Sequence, residues 1–170
     1  MESDAPALPM LPGLREPRHR VSRRAVWYWR MRAVGDGLVV LAVEAGVALG
    51  AGPGKGWAVL LGVTAAAVAG YAVIMPRWRY RVHRWEVTAD ALYTRTGWFS
   101  VHWRIAPLSR IQTIDSHRWF GERLFGLANV TATTASAAGP VHIRGLDRAT
   151  ADRLLDELTA ATAAQPGDAT

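Results

Sequence analysis

The sequence offers few residues with the spacing that catalysis or metal binding requires. Its five histidines, at positions 19, 83, 102, 117 and 142, are scattered, and no two lie four residues apart. The chain has no Cys, which excludes disulfides, thiolate metal sites and a cysteine nucleophile. It also lacks the nucleophile-elbow, Walker and dinucleotide-binding motifs. We therefore expect no enzyme activity, no catalytic residue, no metal and no cofactor; an enzyme with an unrecognised cross-strand site stays open as an alternative.

Arginine supplies 19 of the chain's 20 basic side chains. Four arginines lie close together directly after an apolar stretch: Arg77, Arg79, Arg81 and Arg84. This basic cluster could recognise the headgroup of an anionic lipid. It could equally set membrane topology and attract any anionic surface without specificity. The sequence favours topology setting and keeps headgroup recognition as the alternative.

Polar side chains inside two apolar stretches form the second set of candidate residues. If the stretches are antiparallel helices, residues whose numbers sum to about 108 lie level with each other. This predicts two pairs, Glu44 with Thr64 and Asp36 with Tyr71, and a protonated Glu44. Alternatively, Glu44 faces another subunit and Asp36 reaches the membrane surface. A proton or ion pathway is not favoured, since there is no basic partner.

Two helices of membrane-spanning length must hold these polar residues. Residues 57–75 contain no charge, and 19 helical residues rise roughly 28 Å, close to the hydrocarbon thickness. Residues 33–51 are marginal, because a mid-span carboxylate costs about 3 kcal/mol and their Leu and Val residues return about as much. The GPGKG sequence at 52–56 is a turn that joins antiparallel neighbours. Pairs of small residues could permit close helix packing: Gly46 with Gly50, Gly62 with Ala66, and Ala66 with Gly70.

The distribution of charge predicts the orientation of this hairpin. The net charge is +6 and the mean hydropathy is +0.04, yet the arginines flank the apolar part and the turn holds only Lys55. The positive-inside rule then places both termini in the cytoplasm. Trp and Tyr residues mark the expected interfaces: Trp27, Tyr28, Trp29, Trp57, Trp78 and Tyr80. We expect residues 1–26 to be a flexible basic tail without signal-peptide features. Nucleic-acid binding is not favoured, because the positive charge lies where a membrane requires it.

The second half of the chain has the pattern of a small β-rich domain. Alternating segments predict strands over 79–88, 91–96, 101–106, 110–117, 128–135 and 141–144. Ile111 and Ile114 are out of phase, so either a bulge intervenes or one faces outward. Asp147 is a predicted N-cap of a helix whose apolar stripe is Ala151, Leu154, Leu155 and Leu158. The expected architecture is an antiparallel barrel or sandwich covered by this C-terminal helix, with a frayed tail over 163–170.

Particular motifs in this half resemble a known family. They are RIQT at 110–113, RLFGLANV at 123–130, TA at 134–135 and IRGL at 143–146. Together with the two apolar stretches, they resemble the bacterial pleckstrin-homology-like membrane proteins of the YdbS-like family, over roughly residues 30–162. Residues 119–122 (WFGE) stand where that family's pattern has a Pro-containing turn.

The resemblance implies an α+β membrane protein: a transmembrane hairpin over 27–76, then a pleckstrin-homology-like domain over 77–162, built of two antiparallel sheets plugged by a C-terminal helix. It implies a non-catalytic binding or scaffold module in a bacterial cell membrane. The expected partners are the lipid bilayer and a membrane protein or a second copy of the chain, and no nucleic acid.

Overall fold

The computed structural model describes residues 16–52, 54–135 and 139–164. Two long helices come first: α1 spans Arg24–Ala51 and α2 spans Lys55–Val82. Both are long and apolar enough to cross a membrane, by length and composition. Only 11% of the most apolar 18-residue window of each helix is buried, so most of the apolar helical surface does not pack against the rest of the protein.

Both helices extend about two turns beyond the predicted spans, at the end nearest the β-rich domain. The strand predicted from residue 79 begins only at Arg84, and residues 79–82 are helical. The prediction was wrong there because the alternating Arg-Tyr-Arg-Val sequence imitates a strand. Pro76 does not end α2, since a proline inside a helix removes a single backbone hydrogen bond and its ring here is buried.

Seven strands form two antiparallel sheets in the described part of the chain. The first sheet has the order β1–β2–β3–β4, with β1 His19–Arg20, β2 Arg84–Val87, β3 Ala91–Gly97 and β4 Val101–Pro107. The second has the order β5–β6–β7, with β5 Ile111–His117, β6 Leu127–Thr134 and β7 Val141–Asp147. Two helices complete the domain: the short α3, Phe120–Leu124, and the C-terminal α4, Arg148–Ala164.

The segment before α1 belongs to the domain, which corrects the prediction of a flexible tail over 1–26 for its described part. His19 pairs with Trp85 and Arg20 with Arg84, so β1 is an edge strand of the first sheet. Glu16 adds ion pairs to Arg84, at 3.4 Å, and to Arg95. A two-residue strand has no hydrophobic period, and sequence patterns therefore miss it. Residues 1–15 and 165–170, parts of the two predicted tails, lie outside the described residues.

One core joins the two sheets, α4 and the base of α1. Ala151, Leu154 and Leu158 of α4 are buried in it, which confirms these members of the predicted stripe. Asp147 Oδ1 accepts a hydrogen bond from the Thr150 backbone N–H at 3.0 Å, as expected of the helix cap. From the other side, Val21, Ala25 and Trp29 enter the same core. The base of α1 is therefore part of the domain.

Two backbone irregularities shape the second sheet. The register shifts between Ile111 and Thr113, and Ile111 and Ile114 both pack against the core, so of the two alternatives it is the bulge that the structure shows. Gly145 has φ +80°, and a Cβ there would lie 2.9 Å from the Ala25 Cβ. Its carbonyl accepts a hydrogen bond from the Ser22 N–H at 2.8 Å. Glycine at this position lets α1 dock directly on β7.

The close approach of α1 and α2 occurs at Gly37. A Cβ on Gly37 would clash with Cγ1 of Val68. By contrast, a Cβ on any glycine of the predicted small-residue pairs would meet no atom within 4 Å; these are Gly46, Gly50, Gly62 and Gly70. The predicted small-residue pairs are thus not where the helices meet. Ala33, Ala72 and Met75 form a small second core near the domain end of the helical pair.

Candidate functional site

A cleft of about 790 Å³ lies where the helical pair meets the second sheet. Its polar lining includes Arg32 and Asp36 of α1, Tyr71 and Arg79 of α2, and His142 and Arg144 of β7; further polar side chains come from β5, α3 and β6, namely His117, Glu122, Asn129 and Thr131. A neighbouring cleft of about 390 Å³ reaches the β3–β4 turn and shares Arg79 and Arg144 with the first. The two clefts therefore form a continuous groove along the junction of helices and domain.

Two contacts orient the Arg79 side chain in this groove. Its guanidinium stacks on the Trp29 ring, 4.4 Å from the centroid, and its Nε donates to His83 Nε2 at 3.4 Å. The stacking surface is itself fixed, because Trp29 is buried in the domain core. Arg79 has no carboxylate partner among the described residues, and neither does the exposed Arg144 across the groove.

The pKa values of the two histidines beside these arginines are lowered. Burial, and then the charge of Arg79, lower the pKa of His83 from 6.5 to about 4. Burial, and then the charge of Arg144, lower the pKa of His142. Each imidazole is thus favoured in its neutral form, and neither adds to the charge of the groove at neutral pH.

The acidic side chains at the groove are engaged elsewhere. Asp36 lies 3.8 Å from Nε of Arg32, one turn earlier on the same helix. Glu122 is buried; it accepts hydrogen bonds from Asn129 Nδ2 at 2.7 and 2.8 Å and from the Trp119 N–H at 2.9 Å. Asn129 Oδ1 in turn accepts from the Gly145 N–H at 3.0 Å. The partners of Glu122 are neutral donors, so its carboxylate still contributes to the charge of the cleft; within the described part of the chain, neither Arg79 nor Arg144 forms an ion pair.

The same network explains residues 119–122, which depart from the family pattern. They begin the short helix α3, whose Glu122 folds back onto the Trp119 N–H. No proline is needed, because the buried Glu122–Asn129 contact holds this connection in place. Phe120 and Leu124 of α3 stay exposed.

The structure distributes the predicted basic cluster over different surfaces. Arg77 and Arg81 are exposed on α2, and Arg77 donates to the Val73 carbonyl at 3.2 Å. Arg84 lies on β2 and pairs with Glu16. Of the four, Arg79 alone lines the groove. Arg144 also lines the groove, but it was not selected from the sequence because it lies 65 positions from Arg79. Its place in the IRGL motif was the one feature that could have pointed to it.

The polar residues within the helices have different partners. The Thr64 hydroxyl donates to Glu44 Oε1 at 2.9 Å, and Glu44 Oε2 is buried without a hydrogen-bond partner among the described residues. Asp36 meets Arg32 and not Tyr71, which corrects the second predicted pair. Tyr71 instead packs against Trp98 of the β3–β4 turn, with ring centroids 5.6 Å apart. The contact was not predictable because it depends on how the domain folds back onto α2.

Within the described residues, no group of three or more His, Asp or Glu side chains is placed to hold a metal ion. What the groove presents is arginine edges and aromatic rings. Such an arrangement can bind an anion; in the same groove the Thr131 hydroxyl lies 3.1 Å from His142 Nδ1.

The protein has two antiparallel sheets closed by a C-terminal helix, and a pair of apolar helices precedes them. It is an α+β protein that carries a pleckstrin-homology-like domain. The sequence model of the bacterial PH domain family matches residues 37–162, about three quarters of the chain, and the chain belongs to this family. The match begins within α1, so it includes most of the helical pair. No curated protein and no solved structure shows significant similarity to the chain.

Proposed function

We propose that the protein is a membrane-anchored, non-catalytic binding or scaffold module. In this proposal α1 and α2 cross a bacterial cell membrane as a hairpin, and the PH-like domain lies against the cytoplasmic leaflet with both termini in the cytoplasm. The domain would present its surface to a membrane protein or to a second copy of the chain. Membership of the bacterial PH domain family supports a non-catalytic role.

The observation that carries the anchoring is the exposed apolar surface of the helices. Several large side chains there are at least 60% exposed: Leu38, Val39, Val43, Val59, Val63 and Ile74. Contiguous apolar surface of this extent is strongly unfavourable in water and is typical of a surface that lipid or another protein covers. The two helices have the length to place it in a bilayer.

The connection between helices and domain supports a domain held close to the lipid. The chain enters α1 from β1 and leaves α2 into β2, and these two strands are paired neighbours. The β3–β4 turn leans on α2, where the Trp78 Nε1–H donates to the Trp98 carbonyl at 3.0 Å. Next to it, Phe99 is 91% exposed. An exposed aromatic turn beside the end of an apolar helix favours insertion into the membrane interface.

The absence of native Cys allows a direct test of topology. Lys55→Cys places a thiol on the first residue of α2, next to the turn between the helices, and Ala160→Cys places one on the exposed face of α4. In intact cells a membrane-impermeant maleimide should label the first variant only. The second should react after the membrane is permeabilised. Recovery of the protein in the aqueous fraction, or labelling of Ala160→Cys in intact cells, would refute the anchoring or its orientation.

Anionic-lipid recognition is the second candidate function, and one observation favours it. The groove holds two arginines that have no carboxylate partner within the described residues, at the junction of helices and domain. The juxtamembrane cluster as a whole does not form this site, since Arg77, Arg81 and Arg84 lie on other surfaces. Any specific recognition therefore has to come from the groove.

A further inference from the structure

We propose that the groove between the helical pair and the second sheet is a binding site for a phosphate-bearing anion, with Arg79 and Arg144 as its principal ligands. The site itself is argued from its own contacts. Its assignment to a lipid headgroup rests on the proposed function, because only a membrane-crossing hairpin brings the groove to the lipid surface.

The first step in the argument is charge. Arg79 is half-buried and shares the groove with Arg144, and neither forms an ion pair with a described residue, although Asp36 and Glu122 also line the cleft. Two cations that share a cleft repel each other, and removal from water adds a desolvation cost. An anion between them removes the repulsion. After burial, the charges of Arg79 and Arg144 lower the pKa of His83 and the charge of Arg144 lowers the pKa of His142, which is consistent with positive charge in the groove.

The second step is geometry. Stacking on Trp29 fixes the plane of the Arg79 guanidinium, and the bond from its Nε to His83 fixes its rotation. Its Nη atoms make no hydrogen bond to any described residue. A guanidinium oriented in this way offers two parallel N–H donors, which is the arrangement that binds phosphate oxygens. Thr131 and His142 stand on the opposite wall, with the Thr131 hydroxyl 3.1 Å from His142 Nδ1.

The third step is position along the helices. The groove is lined by Ala33 and Met75, the residues at which the two apolar stretches end. In a membrane-crossing hairpin this is the level of the lipid phosphates. Arg32 stands at the same level, where its guanidinium lies close to Asp36. The lipid phosphate is therefore the nearest source of such an anion, and a soluble phosphate ester would offer the same chemistry.

The test uses the full-length protein in an uncharged detergent, titrated by calorimetry with dihexanoyl phosphatidic acid and, separately, with inorganic phosphate. We expect saturable binding of one equivalent of the lipid. Arg144→Gln should weaken it by about tenfold or more, the usual effect of losing a charge-assisted hydrogen bond. Arg144 is exposed, so this variant should fold normally. Arg79→Gln should weaken binding at least as much, with folding monitored by near-UV circular dichroism because Arg79 contacts core Trp29.

Arg81→Gln is the matched control, because it removes the same charge from α2 at an exposed position outside the groove. It should change the affinity by less than about twofold, the limited effect expected of a solvated charge. Equal weakening by Arg81→Gln and Arg144→Gln, or the lack of saturable binding of both probes, would overturn the proposed site. If inorganic phosphate binds as tightly as the lipid, the phosphate group suffices and the site also accepts soluble esters. Tighter lipid binding identifies the headgroup.

These outcomes are separate from those of the topology experiment. A protein that is labelled as expected at Lys55→Cys but binds neither probe keeps its anchoring and loses this site. A protein that binds phosphate in detergent but partitions into the aqueous fraction keeps the site and loses the lipid assignment.

Discussion

At the scale of single residues, the contacts of His83 determine its protonation. Its Nδ1 lies 2.9 Å from the Arg79 carbonyl oxygen, which can only accept, so Nδ1 carries the proton. Its Nε2 accepts from Arg79 Nε. A second proton would have to go on Nε2, directly against the guanidinium. The neutral ring is therefore the form that the folded protein accommodates.

Stability should consequently depend on pH through this residue. The folded-state pKa of about 4 lies below the ordinary value of 6.5, so the unfolded state binds a proton first as the pH falls. The contribution is fully present above pH 6.5 and is lost progressively towards pH 4. Between pH 7 and pH 5 the free energy of unfolding should fall by about 2 kcal/mol from this group. Thermal unfolding in detergent at both pH values would measure it.

His83→Asn provides the comparison, because its amide can still donate to the Arg79 carbonyl but does not titrate. The variant should lose about 2 kcal/mol less than the wild type over the same pH interval. The exposed His102→Asn should retain the wild-type pH dependence. Identical pH profiles for wild type and His83→Asn would show that another group controls acid stability.

Asn129 is the residue on which the buried polar network depends. It is 3% exposed; its amide donates to Glu122, and its Oδ1 accepts from the Gly145 N–H. Glu122 in turn accepts from the Trp119 N–H. Asn129→Ala would remove both amide hydrogen bonds from the buried Glu122 carboxylate and leave the Gly145 N–H unpaired, and should lower the free energy of unfolding by about 3 kcal/mol. Ser116→Ala, exposed on the neighbouring strand, should cost less than about 0.5 kcal/mol. Denaturant titration would compare them; equal effects would contradict the assigned role.

At the scale of elements, the close packing of α1 on α2 depends on Gly37. Gly37→Ala would drive a methyl group into Val68, and overpacking of this kind costs about 1–3 kcal/mol. Gly46→Ala, with open space at the corresponding position, should be neutral or slightly stabilising. The double variant Gly37→Ala/Val68→Ala should recover part of the loss. Unfolding in detergent, monitored by far-UV circular dichroism, would measure all three; an unaffected Gly37→Ala would show that the helices do not meet there.

An element could be predicted from the sequence when its hydrophobic pattern is long and regular. The apolar runs of α1 and α2, the alternation in β4 and the stripe of α4 are strong local signals, and they predicted elements that the structure contains. Residues 79–82 are polar and apolar in turn, so only packing against the domain decides that they are helical. The two residues of β1 carry no period, and their pairing with β2 is known only once α1 and α2 bring both ends together.

The candidate site was less predictable than the fold for a related reason. Arg79 was recognised from its neighbours in sequence, but three of the four clustered arginines lie on other surfaces. Arg144 lies next to Gly145, the glycine that lets α1 dock on β7, and this long-range contact is one that no local pattern encodes. The Glu44–Thr64 hydrogen bond, by contrast, was predicted from the sequence. The short turn between the two helices determines which residues of α1 and α2 lie at the same depth.

At the scale of the whole molecule, the bases of both helices belong to the domain. Val21, Ala25 and Trp29 supply core side chains, β1 extends the first sheet, and α2 runs without interruption almost to β2. The predicted hairpin covers residues 27–76. On α2 the predicted limit lies next to Met75 of the second small core; on α1 the main core reaches Trp29, so the base of α1 belongs to the domain up to about Ala33.

This boundary predicts which fragment folds. A chain in which residues 34–71 are replaced by a short Gly-Ser linker keeps β1, both helix bases and the entire core, and loses most of the exposed apolar surface. It should be a water-soluble monomer with a cooperative thermal transition and dispersed amide resonances, because every member of the main core is retained.

A fragment that begins at Trp78 is the matched comparison. It lacks Val21, Ala25 and Trp29, and burying side chains of this size contributes several kcal/mol, an amount comparable to the stability of a small domain. It also exposes the edge of β2 that β1 covers. We expect this fragment to aggregate or to lack a cooperative transition, as sedimentation and calorimetry would show. If it folds as well as the linker chain, the helix bases are dispensable, and the domain is an independent unit tethered to the hairpin.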